Sequence, residues 1–312
     1  MRAPTDVAAA LRAAVATTVR GKSEAVDLAV ASLLAGGHLL IDDVPGSGKT
    51  LLARSMAAAI GGKFGRVQCT PDLLPTDITG TSVFRPDSGE WQFRSGPLFA
   101  NVVLVDEVNR ASPRTQAALL QPMEEHHVTV DGSTWQLPEP FLVIATQNPF
   151  GQIGTFPLPE SQLDRFALVL SMGLPDRDAE REILTGAGGV GLLASIQPVT
   201  SPDELVQVQQ TVASLYAAEP IVDYVLDLVT ATRSDQRLSH GASPRVSTGI
   251  LALARGRAVV AGRDYVTPED VHDVFVGACQ HRVLVDGRVD TVAAGSMLSD
   301  LLARVPVPRP TA

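Results

Sequence analysis

Cysteine is nearly absent from this 312-residue chain: Cys69 and Cys279 stand 210 positions apart, with no CxxC pair and no Cys/His cluster. That excludes a disulfide framework and a thiolate zinc site, and leaves both residues as small hydrophobes of a core. Lysine is almost as scarce. Lys22, Lys49 and Lys63 are its three occurrences, so 22 of the 25 basic residues are arginine, and the position of each lysine is informative. Basic charge as a whole is in deficit. The 34 acidic residues give a net charge of −9 and a pI near 5.1, which argues against a phosphate backbone as the main partner. Long apolar runs are missing too. The strongest, 102–105 and 141–145, fall far short of the roughly 20 residues a bilayer helix requires, so no membrane span is expected. The N-terminal stretch, broken by Arg12 and Arg20, lacks the uninterrupted apolar core of a secretory signal, and a cytoplasmic location is expected.

What is present is an ordinary globular composition, 45% hydrophobic and 19% charged with mean hydropathy +0.15, in a chain long enough for about two domains. Up to residue 185, short β-rich runs alternate with helical patterns: 38–42 (HLLID), 65–69 (GRVQC), 102–106 (VVLVD), 141–146 (FLVIAT) and 166–171 (FALVLS). Five apolar strands spaced by helices predict an α/β fold with a five-stranded parallel sheet buried on both faces. Two inserted hairpins are predicted, one at 79–96 around a Pro-Asp-Ser-Gly turn and one at 127–137 around Asp131-Gly132. Both tryptophans, Trp91 and Trp135, fall in these hairpins with Phe93, although aromatics make up just 4% of the chain. Cross-strand packing and substrate gripping are both open to them.

The glycine-rich GAGGVG at 186–191 marks a linker, taken as 186–194. The expected division is an α/β core at 1–185 and a small all-helical domain at 195–312. In the latter, Ser201-Pro202-Asp203-Glu204 and Thr267-Pro268-Glu269-Asp270 carry a capping hydroxyl, Pro at the first helical position and a carboxylate placed for a capping box. Helical spacing covers 221–232 and 246–260, an Ala-rich helix covers 7–18, and the tail VPVPRPTA is Pro-rich.

Chemistry enters directly after the first strand, where Asp43-Val44-Pro45-Gly46-Ser47-Gly48-Lys49-Thr50 leads into a helical run beginning at Leu51. A strand, a glycine-rich loop and a helix in that order turn backbone N–H groups around phosphate oxygens. Lys49 would meet the β and γ phosphates and the Thr50 hydroxyl would face Mg²⁺. The generic pattern has glycine at position 43, and this chain has a carboxylate there, which weakens nucleotide affinity unless it points away from the phosphates. Further along, four apolar strand residues end in Asp106-Glu107, a metal partner and a candidate base for an attacking water. The fourth strand ends in Thr146-Gln147-Asn148-Pro149, at the sheet edge where ligands bind.

DDVPGSGKT, TPDLLPTDITG (70–80), VDEVNRASPRTQAALLQPMEE (105–125), ATQNP (145–149), TFPLPESQLDRF (155–166) and GASPR (241–245) together resemble the AAA+ ATPases, and within them the MoxR family of the helix-2-insert group, over about residues 15–285. The resemblance implies an AAA+ P-loop core followed by a helical lid, binding ATP and Mg²⁺. It makes Gly46, Ser47, Gly48, Lys49, Thr50 and Leu51 the Walker A cradle, Asp106 and Glu107 the Walker B pair with Asp106 and Thr50 toward Mg²⁺, and Asn148 sensor 1. Arg165 becomes an arginine finger acting in trans and Arg245 sensor 2, contacting the nucleotide of its own subunit. Arg20 and Gly21 lie near the adenine, and Gln68 is a candidate restraint on Glu107. Acid at position 43 is a variation the family uses, and 79–96 and 127–137 become the helix-2 insert and pre-sensor-1 hairpin. The implied activity is ATP hydrolysis by a homo-oligomeric, hexameric ring that remodels or matures a client, with an adaptor or partner carrying a von Willebrand factor A domain. The competing readings are a nucleic-acid motor, disfavoured by the acidic charge, and a nucleotide switch with little turnover, disfavoured by the presence of both Glu107 and Arg165.

Overall fold

The computed structural model describes residues 2–148, 154–185 and 189–308. Pro149, the first part of the expected linker at 186–188 and the end of the Pro-rich tail from 309 lie outside the described residues. The chain opens with α1 (Pro4–Ala16) and α2 (Ser23–Leu34), then β1 (His38–Asp42), α3 (Lys49–Ala59), β2 (Phe64–Gln68) and the short α4 (Pro75–Thr79). The first hairpin follows as β3 (Gly80–Arg85) and β4 (Glu90–Ser95), then β5 (Val102–Asp106), α5 (Pro113–Leu120) and α6 (Pro122–Glu125). A second hairpin, β6 (His127–Val130) and β7 (Ser133–Gln136), precedes β8 (Leu142–Gln147), α7 (Glu160–Leu163), β9 (Phe166–Leu170) and α8 (Arg177–Leu184). From there on the elements are helical: α9 (Pro202–Ala213), α10 (Glu219–Ser234), α11 (Pro244–Val260), α12 (Pro268–Cys279) and α13 (Thr291–Arg304).

The five expected strands form one parallel sheet in the order β2-β5-β8-β1-β9. Three strands differ by a residue: β2 spans 64–68 rather than 65–69, β8 spans 142–147 rather than 141–146, and β9 ends at 170 rather than 171. Ladder pairing ends at Gln68↔Asp106, leaving Cys69 as a buried residue beyond it. Each strand divides its apolar side chains between two faces, as period 2 requires. Leu39, Ile41, Val102, Leu104, Leu142, Ile144, Leu168 and Leu170 enter one cluster, which continues through α1, α2 and the helices from α9 onward. Leu40, Val103, Val105, Val143, Ala145 and Val169 enter the other, under α5 and the second hairpin.

The helical segment is bound tightly to the rest. A Cβ on Gly256 of α11 would lie 2.3 Å from the Ala31 carbonyl oxygen of α2, and one on Gly277 of α12 would lie 2.7 Å from Leu168 of β9. Glycine at these positions lets backbone reach backbone or sheet. Thr267 forms the expected capping box with Asp270. Ser201 caps α9 by accepting from the Glu204 N–H at 3.2 Å, but the Glu204 carboxylate is taken by Arg2 and Thr200, so that box is half made. Within the expected linker the described residues are not irregular. Residues Gly189–Ser195 form a 3₁₀ helix beside Ala57 and Ala58 of α3, because Leu192 and Leu193 have apolar surface to cover and a short 3₁₀ turn tolerates the glycines.

Candidate functional site

Every strand of the sheet points its C-terminal end at one edge, and the loop after β1 crosses that edge at 43–48. Gly46 and Gly48 take φ of 87° and 97°, a region closed to most side chains, and Gly48 is the N-cap of α3. Lys49, Thr50 and Leu51 therefore form the first helical turn, with Leu51 packed on the core. The Lys49 ammonium donates to the carbonyls of Asp43 at 2.9 Å and Val44 at 2.6 Å and approaches Ser47 Oγ at 3.4 Å. Partial burial lowers its pKa, while Asp43, Asp106, Asp42 and Glu107 pull the other way. Asp43 points away from the cradle. Its Oδ1 accepts from the Val44 N–H at 2.7 Å, and its Oδ2 accepts from the N–H groups of Met172 and Gly173 at 2.8 and 2.7 Å. The carboxylate thus ties the loop to the chain leaving β9.

Asp106 and Glu107 end β5 beside this loop. Glu107 has φ 55° and ψ 52°, a left-handed conformation that costs a non-glycine residue about 1–3 kcal/mol. Its N–H is held by Thr146 Oγ1 of β8 at 3.0 Å, and its carboxylate receives Arg110 at 3.0 Å. The Asp106 carboxylate receives Arg66 of β2 at 2.8 Å. Gln68 accepts from Arg66 at 3.2 Å, so in this conformation it restrains Arg66 and not Glu107. Lys49, Thr50, Arg66, Gln68, Asp106, Glu107, Thr146 and Asn148 all line one cavity of about 200 Å³. A glycine-rich loop at a helix N-terminus, an ammonium, a hydroxyl and a carboxylate suit a polyphosphate with Mg²⁺. That ion needs just one or two protein oxygens besides phosphate and water, and no cluster of three or more His, Cys, Asp or Glu occurs among the described residues. A neighbouring cavity of about 520 Å³ shares Gln147 and Asn148 and reaches Asp42 and Thr291 of α13.

The remaining expected site residues divide into two groups. Gly21 lines a cavity of about 420 Å³ with Lys22, Leu170, Met172 and Gly277 of α12. Arg20 turns out of that lining toward Glu182, at 3.4 Å. Arg165 and Arg245 line neither the phosphate-loop cavity nor the neighbouring one. They meet each other at Glu124, Arg165 at 3.3 Å and Arg245 through a direct bond. α11 starts at Pro244 and delivers Arg245 to the Glu124 side of the core. In the hairpins Trp91 packs on its cross-strand partner Phe84, whereas Phe93 stacks on Trp135 from one hairpin to the other with centroids 4.4 Å apart. Trp91 remains 71% exposed, and Ser82, Trp91, Phe93, Asp131 and Trp135 line an open groove of about 540 Å³.

Sequence reasoning missed Arg66, Arg110, Thr146 as the anchor of Glu107, and Glu124. A signal existed for Arg66, since an arginine two positions before Gln68 in a strand must share its face. None existed for Glu124, which meets its partners across 41 and 121 positions of sequence.

Residues 38–168 match the model of the ATPase family associated with various cellular activities (AAA), and 230–299 match the AAA lid domain. The Chaperone MoxR1 of Mycobacterium tuberculosis is 40% identical over 93% of this chain and 79% of its own length. The Bacillus subtilis protein YeaC, itself uncharacterized, is 40% identical over 92% of this chain and 91% of its own. The solved structure of a candidate ATPase from Cytophaga hutchinsonii superposes with a TM-score of 0.87 at 31% identity, covering 98% of this chain and 96% of that one.

Proposed function

This chain belongs to the MoxR family of AAA+ ATPases, and from that premise we propose that it hydrolyses ATP within a ring of identical subunits, six by family resemblance, to remodel or mature a client protein. The observation that carries the reading is the convergence of Lys49, Thr50, Asp106, Glu107, Thr146 and Asn148 on a single cavity. Gly46 to Leu51 hold the phosphates, with the Lys49 ammonium leaving the loop carbonyls for phosphate oxygens. Thr50 and Asp106 hold Mg²⁺, which neutralises charge developing on the phosphates when bound. Glu107 takes the proton of the attacking water once Arg110 yields its carboxylate, and Asn148 orients that water. The base and ribose lie in the cavity beside Gly21 and Met172, between the core and α12 of the lid at 195–312. Arg165 and Arg245, paired at Glu124, both serve the site of the neighbouring subunit, where a guanidinium stabilises charge in the transition state. The exposed hairpin aromatics and the groove between them offer a surface to the client or to an adaptor, a von Willebrand factor A domain being the implied type.

A nucleotide switch with little turnover is the second reading. The pairs Arg66–Asp106 and Arg110–Glu107 favour it, because both acidic groups are engaged by arginines of their own chain. One set of measurements separates the two. Lys49→Ala is expected to abolish ATP binding, Glu107→Gln to keep binding and stop hydrolysis, and a mixture of inactive Arg165→Ala and Glu107→Gln chains to recover activity. Hydrolysis absent from wild type at every protein concentration, despite bound nucleotide, would establish the switch.

A further inference from the structure

Glu124 has no role in the reading above, yet both arginines converge on it. It is the third residue of α6, two positions before its chain turns into the second hairpin. Its Oε1 receives the Arg245 guanidinium and its Oε2 lies 3.3 Å from Arg165 Nη2, one oxygen for each cation. Arg165 is anchored from its other side. Its neighbour Asp164 is held by Arg282 through the carboxylate at 2.9 Å and through the backbone carbonyl at 2.7 Å, and Arg282 is 7% exposed. Arg245 Nε also lies 3.6 Å from Asp164.

Three guanidiniums thus surround two carboxylates, leaving one positive charge in excess on a face where Arg245 is 56% exposed. A half-exposed ion pair adds little to folding stability. What this arrangement does provide is spacing. Without a shared anion the two guanidiniums would repel and take up independent rotamers. With it they stand side by side, and the surplus charge matches an incoming phosphate. The pull of Arg245 and Arg165 holds the Glu124 carboxyl below its ordinary range, so it stays ionised throughout the neutral range.

We propose that Glu124 is the positioning residue for the intersubunit arginines, presenting Arg165 and Arg245 as a fixed pair to the terminal phosphate bound by the next subunit. This rests on the ring reading above. The mixing experiment separates the two ideas. Glu107→Gln chains donate arginines without hydrolysing, and Arg165→Ala chains hydrolyse if given them. Adding Glu124→Gln to the donor is expected to cut the recovered kcat about tenfold or more with little change in the KM for ATP, the size typical of a misplaced group. Adding it to the acceptor is expected to leave the recovery within about twofold, because Glu124 serves the neighbour's site and not its own. A purely structural residue would not distinguish the two arrangements. Loss in both, or in neither, overturns the proposal. Failure of the parent mixture to recover activity overturns the ring reading and the positioning role with it. Two further measurements bear on the same point. Sedimentation of Glu124→Gln is expected to show wild-type assembly, and disassembly would make Glu124 an interface residue instead. Glu124→Asp in the donor is expected to restore part of the lost recovery, and behaviour identical to Gln would mean that the negative charge is not what holds the pair.

Discussion

Asp43 occupies the position where the generic phosphate loop has glycine, and the structure gives it an occupation of its own. The side chain is 6% exposed and accepts three backbone N–H bonds, two of them from residues 129 and 130 positions away. A carboxylate saturated in this way is a fixed strut: it sets the height of the loop above β9 and turns its charge away from where phosphates would sit. Restoring the generic residue should therefore harm the site. Asp43→Gly is expected to weaken ATP binding about tenfold, since it frees three donors, of which the buried Met172 N–H alone is worth about 1–3 kcal/mol when left unpaired. Binding of a fluorescent ATP analogue measures this, and an affinity equal to or better than wild type would show that the strut does not shape the cradle. The comparison with Arg66 is instructive. Its bond to Asp106 was readable as a shared strand face but not as a partner, because alternation fixes which side a residue faces and says nothing of what it meets there.

Elements were the most legible part of the chain. Five apolar runs, two turn signals and the Thr267 cap come from local chemistry, so the sheet, both hairpins and the start of α12 follow from short windows. Where distant parts of the chain compete for a group, the local reading gives way. Glu204 leaves its own helix cap for Arg2, 202 residues away, and Arg245 meets Glu124 across 121 residues. Contacts between helices belong to the same class. Gly256 reads as a poor helix former inside α11, yet its missing side chain is what lets α11 rest on the Ala31 carbonyl of α2 at a distance no Cβ could share. Gly256→Ala should raise helix propensity and still destabilise the protein by about 1–3 kcal/mol, because the obstructing atom is backbone and cannot rotate aside. Denaturant unfolding decides this, and a more stable variant would mean that the two helices separate without cost.

For the whole molecule, one apolar cluster runs from the sheet into the last helix, so stability is a property of both regions together. Two buried histidines tie it to pH. His38 Nδ1 accepts from the Val143 N–H, which leaves Nε2 to donate to Met123, both at 3.1 Å. That neutral ring is fully satisfied, and burial pushes its pKa down to about 4, as burial pushes His281 down to about 3. Both values lie below the unfolded value of about 6.5, so the unfolded chain binds the extra protons. The stability they contribute is complete above about pH 6.5 and is lost as pH falls from there toward 4, at about 1.4 kcal/mol per pH unit for each ring. His38→Gln is expected to remove one ring's share of that slope, read from melting curves between pH 7 and 4; an unchanged slope would place the acid sensitivity elsewhere. A last consequence comes from the scarcity of lysine. With Nζ groups at 22, 49 and 63 alone, the chain carries a chemical address. Lys49 sits in the phosphate loop with its pKa lowered by burial, while Lys63 is exposed and Lys22 is tied to the Leu174 carbonyl. An amine-directed reagent therefore reads the occupancy of the nucleotide loop at Lys49 and calibrates itself at the exposed Lys63, with no label engineered into the protein.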